Sequence, residues 1–335
     1  MRMRRWLAAL VLVVLVLSVD AEQWKNTQIL TGMSRQEVWD VMNQMRASLG
    51  VDCHFCHVKG DVPSDAKPQK VRGREMMRMV MDLNARYFSG KPVVTCFTCH
   101  DGKVQPARMP PLPQTIPPET KPVEAKVLPP LASVIQKYVA AVGREPAPST
   151  ARRFRGTLKS SSGASAQGTV LTAGDKQRTD ITLPDGSTLS RAFDSKGGWV
   201  RDKDGVHDLT SQQLDAVLMA RRPFAPFHTS SIGEDARVTD SEKIGDRNAW
   251  VVTTPKARYW FDAESGFLLR RVVYFDSPIG RIPEQTDFDD YRDAGGAKVP
   301  FFTRGSLVDP YLSGARQAES IEVGIAILAG EFEKP

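Results

Sequence analysis

The chain has 335 residues, a net charge of +6, 25% charged residues and four cysteines. That length allows two domains and a core that needs no disulfide framework. The basic excess is mild and comes with no dense basic and aromatic patch, which excludes a nucleic-acid-binding role.

Residues 1–21 read as an export signal. Arg2, Arg4 and Arg5 give a charged start, residues 6–17 are apolar throughout, and Val19, Asp20 and Ala21 offer small residues for cleavage. The apolar run is shorter than the roughly twenty residues a membrane span needs. An uncleaved anchor is the alternative. No cysteine follows closely enough for lipid attachment, and no later stretch is long and apolar enough to span.

Residues 22–108 read as helical. Ser34, Arg35, Gln36 and Glu37 form a capping box, and Val38, Met42, Met45 and Leu49 share one helix face. Gly50 is placed to end that helix. A second helix is expected over 70–88, with Met76, Met79 and Leu83 on one face and Gly90 and Pro92 as stops.

A five-residue motif follows each helix. Cys53-His54-Phe55-Cys56-His57 and Cys96-Phe97-Thr98-Cys99-His100 together use every cysteine in the chain. Cys-x-x-Cys-His is the attachment signature of c-type haem: two thiols form thioethers to the vinyl groups, and the histidine sits under the iron. Two covalent haems are expected. A zinc site of four thiolates is the rival reading. It gives no reason for a histidine after each pair, and about forty residues between the pairs is long for a zinc ribbon.

A low-spin haem needs a second axial ligand. Outside the two ligating positions the histidines are His54, His207 and His228, all poorly placed for this. Methionine is plentiful on both helices, and Met/His ligation raises the reduction potential. One methionine on each helix is therefore expected to ligate, with Met77 and Met81 as core filler.

Several segments of this region resemble the photosynthetic reaction-centre cytochrome c subunit family. They are residues 26–30, 33–34, 49–58, 74–79 and 94–100, within a stretch from about 24 to 109. The resemblance implies haem binding and electron transfer, with Met42 and Met76 as the distal ligands and Met45 and Met79 as the alternatives one turn along. Asn84 matches an asparagine of the family. Reaction-centre members carry four haems in two related halves, and this chain has the motifs of one half. Asp101 stands where an arginine is usual.

Nine prolines between Pro106 and Pro130 mark residues 109–130 as a semi-rigid linker. Beyond it, residues 131–335 read as a β-rich domain. Leu131, Val134, Ile135, Tyr138, Val139 and Val142 outline an amphipathic helix before Gly143. Residues 211–221 suggest a short helix. Turns are expected at 182–187, 262–266 and 293–296. Trp199, Trp250 and Trp260 are read as core, and His207 and His228 as non-ligands. Asp287, Asp289 and Asp290 are read as a solvated sheet edge.

Residues 259–270 carry a strand-turn-strand pattern that resembles the carrier fold of outer-membrane lipoprotein localisation proteins. That likeness implies a concave sheet able to hold a lipid or acyl chain, or one filled by its own side chains. The expected fold class is thus multidomain, α + (α+β): a small helical dihaem domain, then a curved, half-barrel-like antiparallel sheet with one or two helices.

Three functions follow. The first is an exported, periplasm-facing electron carrier whose partners are redox proteins or a membrane electron-transfer complex. The second is a dihaem peroxidase-like enzyme with an open distal position. The third is a lipid-binding module with accessory haems. No phosphate-binding glycine motif or nucleophile elbow is present.

Overall fold

The computed structural model describes residues 25–110, 113, 116, 126–147, 149–183 and 186–335. The expected signal peptide, most of the linker, and Pro184 and Asp185 of the 182–187 turn lie outside the described residues.

Three helices build the N-terminal region. Helix α1 (Arg35–Leu49) opens on the expected capping box, in which the Ser34 hydroxyl accepts from the Glu37 amide and the Glu37 carboxylate accepts from the Ser34 amide. It ends at Gly50, whose φ of 66° only glycine adopts freely. Helix α2 (Pro68–Tyr87) starts two residues earlier than expected, because Pro68 is pre-set for a first helical position. It closes with the Phe88 and Gly90 amides both donating to the Asn84 carbonyl, at 3.1 and 2.9 Å. Helix α3 (Cys96–His100) is the second haem motif itself.

Helix α4 (Leu131–Val142) has the expected bounds. Six strands follow: β1 (Arg152–Ser160), β2 (Ser165–Ala173), β3 (Lys176–Thr182), β4 (Thr188–Phe193), β5 (Gly198–Asp202) and β6 (Gly205–Asp208). After α5 (Ser211–Arg221) come β7 (Arg237–Ile244), β8 (Arg247–Thr253), β9 (Ala257–Asp262), β10 (Leu268–Ser277), β11 (Gly280–Ala294), β12 (Ala297–Ser306) and β13 (Gly314–Val323). Among the described residues these thirteen strands form one open antiparallel sheet with β6 and β7 at its edges. Each run is a meander, and the pairing of β1 with β13 joins the two. A bulge in β1 at Arg155 and Gly156 accents the curvature there.

The sheet curves around a cavity of about 500 Å³. Phe154 and Val170 of β1 and β2 line it, as do Val273, Phe288 and Phe301 of β10 to β12. Helix α4 covers one end, with Val134, Tyr138 and Val142 packed on Val252, Tyr259, Phe261 and Leu268. Trp199 and Trp260 are buried, and Trp250 packs against the α4 cluster.

The helical region seats directly on this sheet. Leu30, Val38, Val41, Met77 and Cys96 share one apolar cluster with Ile279 and Ile282 at the β10–β11 turn. Polar contacts flank it. The Trp39 indole donates to Asp309 at 3.2 Å, and Arg46 donates to the Val308 carbonyl at 3.1 Å. Arg222 spans Asp40 of α1 and Glu284 of β11, at 3.7 and 2.9 Å.

This seating adds a second buried face to α1. The buried residues are Val38, Asp40, Val41, Asn43, Gln44 and Ser48, while Met42, Met45 and Leu49 are half-buried. The helix lies between the sheet and a cavity of the helical region, so two of its faces are occupied. Asp287 also departs from expectation: it is buried and bonded by Arg270 and Gln285, with Arg304 at 3.4 Å, and is no solvated edge.

Candidate haem sites

The two motifs have different local supports. Before the first, the Asp52 carboxylate accepts the Phe55 amide at 3.0 Å and starts a 3-10 turn at Cys53–Phe55. Before the second, Thr95 and Thr98 form a reciprocal capping box that starts α3. Asn84 adds a clamp: its side chain donates to the Val94 carbonyl at 2.7 Å and accepts the Val94 amide at 2.9 Å. Helix α2 thereby fixes the backbone two residues before Cys96.

Both motif histidines are oriented alike. His57 Nδ1 lies 3.1 Å from the Val62 carbonyl and His100 Nδ1 lies 2.9 Å from the Lys103 carbonyl. A carbonyl only accepts, so Nδ1 carries the proton in each ring and Nε2 keeps its lone pair for a metal. A backbone partner of this kind is how ligating histidines are commonly held.

A salt-bridge and hydrogen-bond network fixes the loop after the first motif. Lys70 of α2 donates to the Val62, Pro63 and Ser64 carbonyls, at 2.9, 2.7 and 3.0 Å. Asp65 accepts from Arg74 at 2.9 Å and from Asn26 at 2.8 Å. Those bonds, Arg74 first, then Asn26 and Lys70, hold its carboxyl well below the usual carboxylate range. Val62 thus takes a proton donor from His57 and a cation from Lys70. Arg74 lies in the 74–79 segment of the family resemblance, but no pattern in the sequence signals Asp65 or Lys70, because their partners are backbone carbonyls and single side chains brought together by the fold.

The motifs converge on one cavity of about 710 Å³, within the range of small-molecule and cofactor sites. Cys96, Cys99 and His100 line it together with Cys56 of the first motif. Met76, Met79, Val80 and Gly73 come from α2, and Met45 and Leu49 from α1. Gly73 is a mid-helix glycine, which costs helix stability, and it leaves that wall free of a side chain. Two thiols, an imidazole with its Nε2 free and a thioether form the donor set a covalent haem requires. Burial pushes the Cys56 and Cys96 thiols up, while Cys53 and Cys99 are exposed.

Met76 is therefore gathered with Cys96, Cys99 and His100. Met42 is not among the residues lining this cavity. It packs half-buried against the cluster on the sheet, as does Met45, which also lines the cavity. Met77 is buried in the same cluster, whereas Met81 is exposed and fills no core. The two motifs are tied at their ends: the Gly102 amide donates to the Ser48 carbonyl at 3.0 Å, and Gly50 lies against the Gly102 backbone.

The remaining histidines stand apart. His207 faces Asp202 at 3.6 Å and His228 faces Glu145 at 3.4 Å. Among the described residues no three His, Cys, Asp or Glu side chains gather as a metal cluster, and no helix is long and apolar enough to cross a membrane.

Residues 18–124 match the photosynthetic reaction centre cytochrome C subunit family. Cytochrome c-554 of Chloroflexus aurantiacus is 40% identical over 82 residues, covering 23% of this chain and 20% of that protein. The photosynthetic reaction center cytochrome c subunit of Thermochromatium tepidum is 32% identical over 90 residues, covering 26% of this chain and 22% of the relative. The chain thus matches only about a fifth of the length of these two relatives. A solved LolA superfamily protein of Nitrosomonas europaea aligns with 61% of this chain and 98% of its own, at 12% identity and a TM-score of 0.36. The N-terminal region is similar to c-type cytochromes.

Proposed function

We propose that the protein is an exported dihaem c-type cytochrome that carries single electrons between redox partners, one of them a redox protein or a membrane electron-transfer complex. On that reading Cys53, Cys56 and His57 would hold the first haem and Cys96, Cys99 and His100 the second, and Met42 and Met76 would each offer a thioether to an iron. The observation that carries this reading is the cavity shared by Cys96, Cys99, His100 and Met76, with Cys56 in the same lining. Similarity to reaction-centre cytochromes supports it.

The bound group supplies a one-electron iron couple. The chain's residues set its environment: Nδ1 bonds orient both histidines, Asn84 and the Thr95 box hold the second motif, and the Asp65–Lys70–Arg74 network holds the first. The bond from Gly102 to Ser48 keeps the motifs side by side, which favours direct electron exchange.

Carbon monoxide distinguishes this from a peroxidase-like enzyme. The reduced protein is expected to show two one-electron components in a redox titration and no rapid carbon monoxide binding. Rapid binding to either iron would mean an open distal position and overturn the electron-carrier reading.

A further inference from the structure

A hairpin tip normally lies on the surface and carries small or polar residues. The tip between β10 and β11 does neither. Ser277 pairs with Gly280 across a two-residue turn of Pro278 and Ile279, and Ile279 is fully buried. Its apolar company is the helical region: Leu30, Val38, Val41, Met77 and Cys96.

The strands that carry this tip reach past their neighbours. Strand β9 pairs with β10 only as far as Val273, and β12 pairs with β11 only from Gln285 onward. Residues 275–284 therefore form a two-stranded arm, with no third strand beside it among the described residues. Such a ribbon is marginal in water unless something packs on it. The helical region does so. Arg222 braces the base of the arm, stacked over the Phe275 ring at 4.5 Å and paired with Glu284 at 2.9 Å.

The landing place is the second haem motif. Gly280 is buried with a φ of 125°, and a Cβ there would stand 2.5 Å from the Thr95 methyl carbon. Only glycine fits this approach. Thr95 caps α3 and precedes Cys96, and both residues line the haem cavity. Cys53, the matching cysteine of the first motif, is exposed. Met42 and Met45 reach the margin of the same apolar cluster, so the contact of Gly280 with Thr95 is the one selective for the second motif.

We infer that the β10–β11 arm is a positioning element of the second haem site: Gly280 and Ile279 fix where Thr95 and Cys96 stand and keep water from that side of the haem. The inference rests on the dihaem electron-carrier reading and gives the sheet a part in it. An apolar wall beside a haem disfavours the more highly charged oxidised iron and so raises the potential. The arm therefore acts on the potential of the second haem through Thr95 and leaves that of the first.

Moving one methyl group across the contact tests this in the full-length, haem-loaded protein, followed by redox titration. Thr95→Ser removes the methyl and keeps the capping hydroxyl. Gly280→Ala adds a methyl on the other side, and the double variant does both. Thr95→Ser is expected to lower the reduction equilibrium constant of the second haem about threefold, and Gly280→Ala to change it about tenfold, about 59 mV. In the double variant the added methyl takes the space of the removed one, so the second component should return to within about twofold of the wild type, a non-additive result. The first component should stay in place in all three. The double variant still holds a side chain at a φ of 125° and should melt below the wild type. Recovery of the potential without recovery of stability separates placement of the haem from stability of the fold. Cys53→Ala combined with Cys56→Ala, which can attach only the second haem, identifies its component. Unmoved potentials in the single variants, equal shifts of both components, or additive shifts in the double variant would overturn the inference and leave the electron-carrier reading standing. A wild type without two one-electron components would overturn that reading and the inference with it. If Gly280→Ala does not fold, Thr95→Ser decides alone: a second component that does not fall, or a first that falls equally, overturns the inference.

Discussion

The two Cys-x-x-Cys-His motifs share a spacing and differ in almost everything that holds them. The second is an α-helical turn with a buried first cysteine, a capping box and a side-chain clamp from α2. The first is a 3-10 turn with an exposed first cysteine, and its histidine is oriented through a loop that Lys70 and Asp65 fasten. Five residues therefore specify attachment chemistry, while the supports decide how firmly each site is held. The second support is mostly helix caps and neutral hydrogen bonds. The first relies on charges near the surface, so it is the one that pH can loosen.

Substitutions can break that contrast in graded steps. The largest effect is expected where the motifs meet. Gly50→Ala places a Cβ against the Gly102 carbonyl on a left-handed backbone. It should cost about 3 kcal/mol and disturb both haem environments together. Denaturant unfolding followed in the haem bands measures both.

Asn84→Ala is expected to cost about 2 kcal/mol by leaving the Val94 amide and carbonyl without their partner. Its spectral change should be confined to the second haem. An equal change at the first would mean that the clamp is not local.

The smallest effect should appear only in acid. The folded Asp65 carboxyl is held below its unfolded value near 4, so its contribution is complete above about that pH. That contribution shrinks as pH falls further and is gone below the folded value. Asp65→Asn should remove this component from the acid-unfolding profile, with the first haem band the one that responds. An unchanged profile would show that Asp65 does not fasten the loop.

Local chemistry was legible wherever neighbours in sequence supply it. The Ser34–Glu37 box, Gly50, α4, α5 and the turn at 262–266 follow from patterns of a few residues, and the structure has them. The Cys-x-x-Cys-His spacing is equally local, and the structure brings Cys56, Cys96, Cys99 and His100 to one cavity. What could not be read is what depends on distant partners. The second buried face of α1 went unread because Ile279 and Ile282, over two hundred residues away, occupy it. Asp287 looked like an exposed acid because Arg270 and Arg304 reach it from neighbouring strands. Asn84 was noticed as a family match, but its bond to Val94 needed coordinates.

The central claim is that each haem iron carries a methionine sulfur. Near-infrared spectroscopy of the oxidised protein tests it most directly, because methionine ligation to ferric haem gives a charge-transfer band there. The account predicts two such contributions, one lost in Met42→Ala and the other in Met76→Ala, with both retained in Met45→Ala and Met79→Ala. Loss of a band in Met45→Ala with Met42→Ala silent, or a high-spin iron in the untreated wild-type protein, would contradict it.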